Sequence, residues 1–164
     1  MRCAILTVST SVATGAATDV SGPTLAAQAM DAEIHEATLY VLPDDRQAIE
    51  SWLRERVAEG FDLILTTGGT GLTPDDLTPE ATLAVIEREV PGLAEAMRAE
   101  SLRHTPMSML SRAVSGVAGG SLIINFPGSP RAIAQLFPVV APVLRHAVAT
   151  LHRQDGTADH NDQH

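Results

Sequence analysis

The sequence predicts an α/β fold, a three-layer sandwich around a mainly parallel sheet. Three observations predict it. Short apolar runs alternate with stretches of helical periodicity, the pattern of strands joined by crossover helices. The loops after the apolar runs are rich in Gly, Ser, Thr and Asp, and in such sheets ligands bind where those loops gather, at the carboxyl ends of the strands. Aromatic residues make up only 3% of a chain that is 45% hydrophobic. The core is therefore built from Ala, Val, Leu and Ile, which suits helices packed closely on a sheet.

Each element has a local justification. Residues 3–9 (CAILTVS) form a short apolar run, read as a buried strand, and a Ser/Thr/Gly/Ala loop follows. Leu25, Ala29, Met30 and Ile34 recur at helical spacing over 22–37, with Ser21 as the expected N-cap and Pro23 in the first turn. Residues 38–42 (TLYVL) read as the second strand. A helix follows Pro43-Asp44-Asp45, carries Ile49, Trp52, Leu53 and Val57 on one face, and ends at Gly60. Residues 61–66 (FDLILT) are the third strand. Thr78-Pro79 marks the next helix start, a hydroxyl cap followed by a proline whose missing N–H costs nothing there. That helix is expected to run through ATLAVIERE to Pro91-Gly92, with another over 92–103. Residues 112–126 read as two strands joined at Gly119-Gly120, a turn signal. Ser129-Pro130 opens a last helix over about 131–152. One domain is expected over 1–152, with a polar, disordered tail over 153–164.

Composition narrows the function. A net charge of −9 argues against broad binding of nucleic acid or anionic membrane, which needs basic patches. The single Cys3 excludes an internal disulfide and a multi-cysteine metal site, and it reads as a core residue. The apolar start CAILTV is too short for a signal peptide, and no charge-free apolar stretch approaches about 18 residues. A cytoplasmic protein is expected. The histidines show no metal-binding spacing, and His35, His104 and His146 are expected at the surface.

Three places could carry chemistry. Gly68-Gly69-Thr70-Gly71 follows the third strand and is unusually dense in glycine. It reads either as an anion-binding cradle of backbone amides or as a flexible strand-to-helix turn. It is neither a Walker A loop nor a dinucleotide fingerprint. Asp44 follows the second strand and Asp76 the third. If those strands are neighbours, both carboxylates lie at one sheet edge, as a magnesium pair or simply as loop acids. In NFPGSPR, Arg131 reads as a phosphate contact or a solvated side chain. Arg112, in SRAVSG, is similarly open.

The ordered motifs SGP (21–23), LPDDRQAIE (42–50), TTGGTG (66–71), DLTPEAT (76–82), PGLAEAMR (91–98), SMLSRAVSG (108–116) and NFPGSPRA (125–132) resemble the molybdopterin adenylyltransferases of the MogA/MoaB type. The resemblance covers about residues 4–150. It implies a molybdopterin-binding-domain-like fold, commonly assembled as a homotrimer and sometimes a hexamer. It implies Mg²⁺- and ATP-dependent adenylylation of molybdopterin with release of pyrophosphate, before a molybdate-inserting enzyme acts. Asp44 and Asp76 match the family's essential aspartates and are expected to hold Mg²⁺. Ser101 and Ser111 match serines that contact the pterin or its phosphate. Thr67 and residues Gly68, Gly69, Thr70 and Gly71 would cradle substrate, and Pro127, Gly128 and Ser129 would complete the wall.

Two departures stand out. Where the family has an acid after the first strand, this chain has Thr10. Where it has a basic residue before the glycine-motif aspartate, this chain has Asp75. A charge about 6 Å from a phosphate is worth about 3 kcal/mol at an effective dielectric of about 20, so Asp75 matters if it faces the pocket. GGTGLTPDDLT also resembles the competence-damage (CinA-type) nucleotide-pyrophosphatase domain, which implies hydrolysis instead of transfer. A pterin-binding protein without efficient transfer is the third alternative.

Overall fold

The computed structural model describes residues 1–153, and the rest of the expected tail lies outside them. Six strands form one sheet in the order β2-β1-β3-β6-β5-β4. They are β1 (Arg2–Val8), β2 (Glu36–Leu42), β3 (Leu63–Thr67), β4 (Arg88–Glu89), β5 (Ser115–Ala118) and β6 (Ser121–Phe126). The first three and β6 run parallel, while β4 and β5 are antiparallel additions at one edge.

Alternation along the strands divides the core between two faces. Cys3, Ile5, Leu63, Leu65, Leu122 and Ile124 meet one group of helices. These are α2 (Ser21–Asp31), α5 (Pro91–Leu102) and α6 (Pro130–Leu151). Ala4, Leu6, Ile64 and Ile123 face the other way, against Ile49, Trp52 and Leu53 of α3 (Arg46–Ala58) and Ala81 and Val85 of α4 (Thr78–Val85). The three-layer α/β sandwich is therefore as expected. Cys3 lies in the core, where burial pushes its thiol up to about 12.

Several expectations need correction. Ser21 and Thr78 begin helices but cap neither, since Val20 and Leu77 hold the N-cap positions. Their hydroxyls instead tie distant loops together: Ser21 donates to the Gly128 carbonyl, and Thr78 donates to the Gly68 carbonyl at 2.9 Å. Asp19 satisfies the helix start that Ser21 was expected to cap, accepting from the Gly22 amide at 3.0 Å. Helix α2 stops at Asp31 because the chain reverses through Glu33 at φ 62°. Helix α4 stops at Val85, and Arg88–Glu89 pair with β5 instead of continuing the helix. The short helix α1 (Thr10–Ala13) and a 3-10 turn at Pro106–Leu110 were not anticipated. Ser129 does cap α6, accepting from the Ala132 amide. At 22 residues with a mean hydropathy of 1.5 over its most apolar window, α6 is by length and composition apolar enough to cross a membrane, although Arg131 and Arg145 interrupt it, so the expectation of no long charge-free apolar stretch stands. It spends its apolar stripe on the sheet, burying Ile133, Leu136, Phe137, Val140, Leu144 and Val148.

Asn125 ties the parallel and antiparallel parts of the sheet together from inside. Its amide donates to Thr66 Oγ1 at 2.9 Å and Thr82 Oγ1 at 3.0 Å, and its carbonyl oxygen accepts from the Val114 amide at 3.2 Å. Asn125, Thr66 and Thr82 are fully buried. Asn125→Leu leaves two hydroxyls and an amide without this partner. It is expected to lower unfolding free energy by about 3 kcal/mol, measured by urea denaturation with the slope unchanged.

Candidate functional site

The carboxyl ends of β1, β3 and β6 converge on one edge, and the glycine loop rises from β3 at its centre. Gly68 and Gly69 have φ of 96° and 69°. A Cβ on Gly68 would collide with the Val8 carbonyl, and one on Gly69 with Thr78 Oγ1. Only glycine fits that path. Each carbonyl of the loop is tied to protein. Gly68 O accepts from the Thr78 hydroxyl and Gly69 O from the Thr78 amide at 3.1 Å. Thr70 O accepts from the Arg112 amide at 2.9 Å, and Gly71 O from Arg112 Nε at 2.7 Å. The amides of Gly69, Thr70 and Gly71 have no acceptor among the described residues. The turn thus leaves three successive N–H groups unpaired, the chemistry of an anion cradle.

Two cavities flank this loop. The first, about 260 Å³, is lined by Thr70, Gly71 and Pro127 on one side. Its far wall is α5 and the 3-10 turn, with Met97, Arg98, Ser101, Met107, Leu110 and Ser111. The second, about 400 Å³, lies toward β1 and α2 and is lined by Thr67, Gly68, Gly128, Ser9, Asp19 and Ser21 among others. The ridge between them is held together by Thr67 Oγ1 donating to the Pro127 carbonyl at 2.8 Å and the Gly68 amide donating to Phe126 O at 3.2 Å.

The expected site residues therefore separate. Thr70, Gly71, Ser101, Ser111 and Pro127 line the first cavity, and Thr67, Gly68 and Gly128 the second. Gly69 shapes the loop between them, and Ser129 is a helix cap that lines neither. Arg131 is exposed and also lines neither. Asp44 and Asp76 do not sit on neighbouring strands, because β1 lies between β2 and β3. Each is half-buried in its own loop and bonded to a threonine, Asp44 to Thr10 and Asp76 to Thr73. Asp75 is exposed and lines neither cavity. Among the described residues, no three His, Cys, Asp or Glu side chains cluster closely enough to form a metal cage.

Two arginines gain roles that the sequence left open or missed. Arg98 is the charged residue in the wall of the first cavity, and among the described residues only its Nη1 is bonded, to the Ala113 carbonyl at 2.7 Å. Its spacing of three from Ser101 on α5 was the available signal. Arg112 is a brace. Nε binds Gly71 O, Nη2 binds Asp76 O at 2.7 Å, and Nη1 pairs with Glu80. Burial raises the Glu80 carboxyl, but the hydrogen bond and charge of Arg112, helped by Glu80's own backbone and by Arg46, hold it below its ordinary value of 4.5. A depressed carboxyl contributes stability above its unfolded value and loses it as pH falls through the folded one. Glu80→Gln is therefore expected to be less stable than the parent at pH 7 and equal to it in acid well below 4.5, compared by thermal melts.

Comparison with known proteins agrees with this architecture. The family model described as "Probable molybdopterin binding domain" matches residues 4–146. The molybdopterin adenylyltransferase of Haemophilus influenzae is 42% identical over 139 residues, covering 82% of this chain and 70% of that protein. Gephyrin of Dictyostelium discoideum is 39% identical over 158 residues, which are 90% of this chain. The chain spans only 22% of that longer relative. The solved molybdopterin biosynthesis enzyme MoaB of Thermus thermophilus matches with a TM-score of 0.85 at 45% identity, covering 92% of this chain and 95% of that one. CinA of Thermoplasma acidophilum, at 20% identity with a TM-score of 0.64 over 88% of this chain and 99% of that one, shares the fold alone. The chain belongs to the molybdopterin-binding-domain family, of the MogA/MoaB type.

Proposed function

We propose that the protein adenylylates molybdopterin: an oxygen of the pterin's terminal phosphate bonds to the α-phosphorus of ATP, and pyrophosphate leaves. The observation that carries this reading is the row of unpartnered amides, Gly69 to Gly71, on the ridge between two cavities. Two anionic substrates can meet across such a ridge. The first cavity suits the pterin, with methionine and leucine for the ring faces and Thr70, Ser101 and Ser111 for its polar edge. Arg98 has guanidinium donors with no acceptor among the described residues, available to the pterin's phosphate. The second cavity, with its hydroxyls, suits the nucleotide.

Asp44 and Asp76, in separate loops at the carboxyl edge of the sheet, each have the donor chemistry for a magnesium ion. Each leaves Oδ1 without a protein donor among the described residues, and magnesium takes one or two carboxylates and completes its shell with water and phosphate. When bound, the ion neutralises charge on the triphosphate. The protein's own contribution is alignment of attacking and leaving oxygens, which lowers the barrier without covalent chemistry. The proposal includes a cytoplasmic homotrimer or hexamer that passes its product to the molybdate-inserting enzyme. The exposed Leu39 and Val41 on edge strand β2 support self-association.

Purified protein with Mg-ATP and molybdopterin is expected to release pyrophosphate, and ADP-ribose without pterin is expected to stay intact. No pyrophosphate would defeat the transferase reading, and turnover of ADP-ribose would favour the hydrolase. Asp76→Asn and Asp44→Asn should each cut kcat at least about a hundredfold, as loss of a positioned charge does. Arg98→Ala should raise the KM for molybdopterin about tenfold and leave the KM for ATP unchanged.

A further inference from the structure

Two carboxylates in different loops are held by the same device. Asp44 Oδ2 accepts from the Thr10 amide at 3.0 Å and the Thr10 hydroxyl at 2.9 Å. Asp76 Oδ2 accepts from the Thr73 amide at 2.9 Å and the Thr73 hydroxyl at 2.9 Å. In both, one threonine supplies both donors and both land on one oxygen. The Thr10 hydroxyl also accepts from the Asp44 amide at 3.0 Å, which closes a ring around the aspartate. Thr73 closes its own ring differently, because its carbonyl accepts from the Asp76 amide at 3.0 Å.

A half-buried loop aspartate has two side-chain torsions to fix before it can bind anything, and fixing them at the moment of binding costs affinity. Two donors on Oδ2 fix them in advance. They also occupy that oxygen's lone pairs, so Oδ1 is the oxygen left for an external partner. We propose that Thr10 and Thr73 are positioning residues that lock Asp44 and Asp76 and commit each to bind a divalent cation through Oδ1 alone. This rests on the reading above that the two aspartates hold the cation. It gives the hydroxyl at position 10 a purpose. An acid there would set a second negative charge beside Asp44, whereas threonine supplies two donors to the one already present.

The test uses the full chain saturated with α,β-methylene-ATP, which cannot be cleaved, and titrates Mn²⁺ by electron paramagnetic resonance. Thr10→Val is expected to weaken Mn²⁺ binding about tenfold, the worth of one hydrogen bond to a charged group. Thr10→Ser should stay within about twofold of the parent. In an Asp44→Asn background, Thr10→Val should change the affinity by less than about twofold, because the threonine acts only through that carboxylate. The same cycle applies to Thr73→Val with Asp76→Asn. Thr10→Val that binds as tightly as the parent, or that loses the same factor with Asp44 already replaced, overturns the proposal. If Thr10→Val fails to fold by circular dichroism, Thr10→Ala takes its place. A parent protein that binds no Mn²⁺ under these conditions fails the two-aspartate reading itself, and that outcome is distinct from loss of the clamp alone.

Discussion

Arg112 brings one positive charge to the carbonyl groups of the glycine loop, and the site depends on that contact. Its amide and guanidinium take the carbonyls of Thr70, Gly71 and Asp76, while Glu80 balances its charge. Thr78 takes the carbonyls of Gly68 and Gly69 from the other side. A peptide group whose C=O is fixed inward must present its N–H outward. The amide cradle is therefore a consequence of where the carbonyls are spent. The same brace holds the backbone of Asp76, so cradle and carboxylate are positioned by one side chain. Each of the three guanidinium nitrogens of Arg112 has a protein partner, and its charge is paired with Glu80, so its role here is that of a brace.

Parts of this were legible in the sequence and parts were not, for identifiable reasons. Strands β1, β3 and β6 and the glycine turn at 119–120 announce themselves by apolar runs and turn residues, and the structure differs only by a residue or two at their ends. The caps misled. Ser21 and Thr78 have the residue type and place of helix caps, but their hydroxyls reach Gly128, 107 positions away, and Gly68, 10 positions away. Long-range partners of a hydroxyl leave no local trace. Arg88–Glu89 failed for a similar reason. Two residues have no periodicity, and only the neighbouring edge of β5 makes them a strand. Arg112 was visible as a residue beside Ser111, but its three acceptors come from a loop some forty residues earlier.

The two aspartates were found by their position after strands; those strands are not neighbours, yet both run parallel to the β1 between them, so the two loops still leave the same edge of the sheet. Chain order gave no sign that β1 would insert between β2 and β3. The insertion has a chemical effect. It brings the residues after β1, including Thr10, up against the loop after β2, and so supplies Asp44 with its donors. A direct β2–β3 pairing would have left Asp44 without them.

Charge sets the last constraint. The protein carries a net charge of −9, yet the proposed substrates are both polyanions. Arg112 is neutralised by Glu80, Arg131 lines neither cavity, and Asp75 adds a negative charge nearby that stays exposed to solvent. Arg98 is the cation left in the wall of the first cavity. Under the proposed function, attraction for phosphate then rests on Arg98, on neutral dipoles at short range and on a cation from solution. Dipoles act only when oriented and close, whereas a charge acts at a distance and tolerates slack. A site built this way can sit in an acidic protein, but its backbone geometry has little room to vary. That is the physical reason the loop is made of glycines braced on every carbonyl, where a looser site could have relied on lysines.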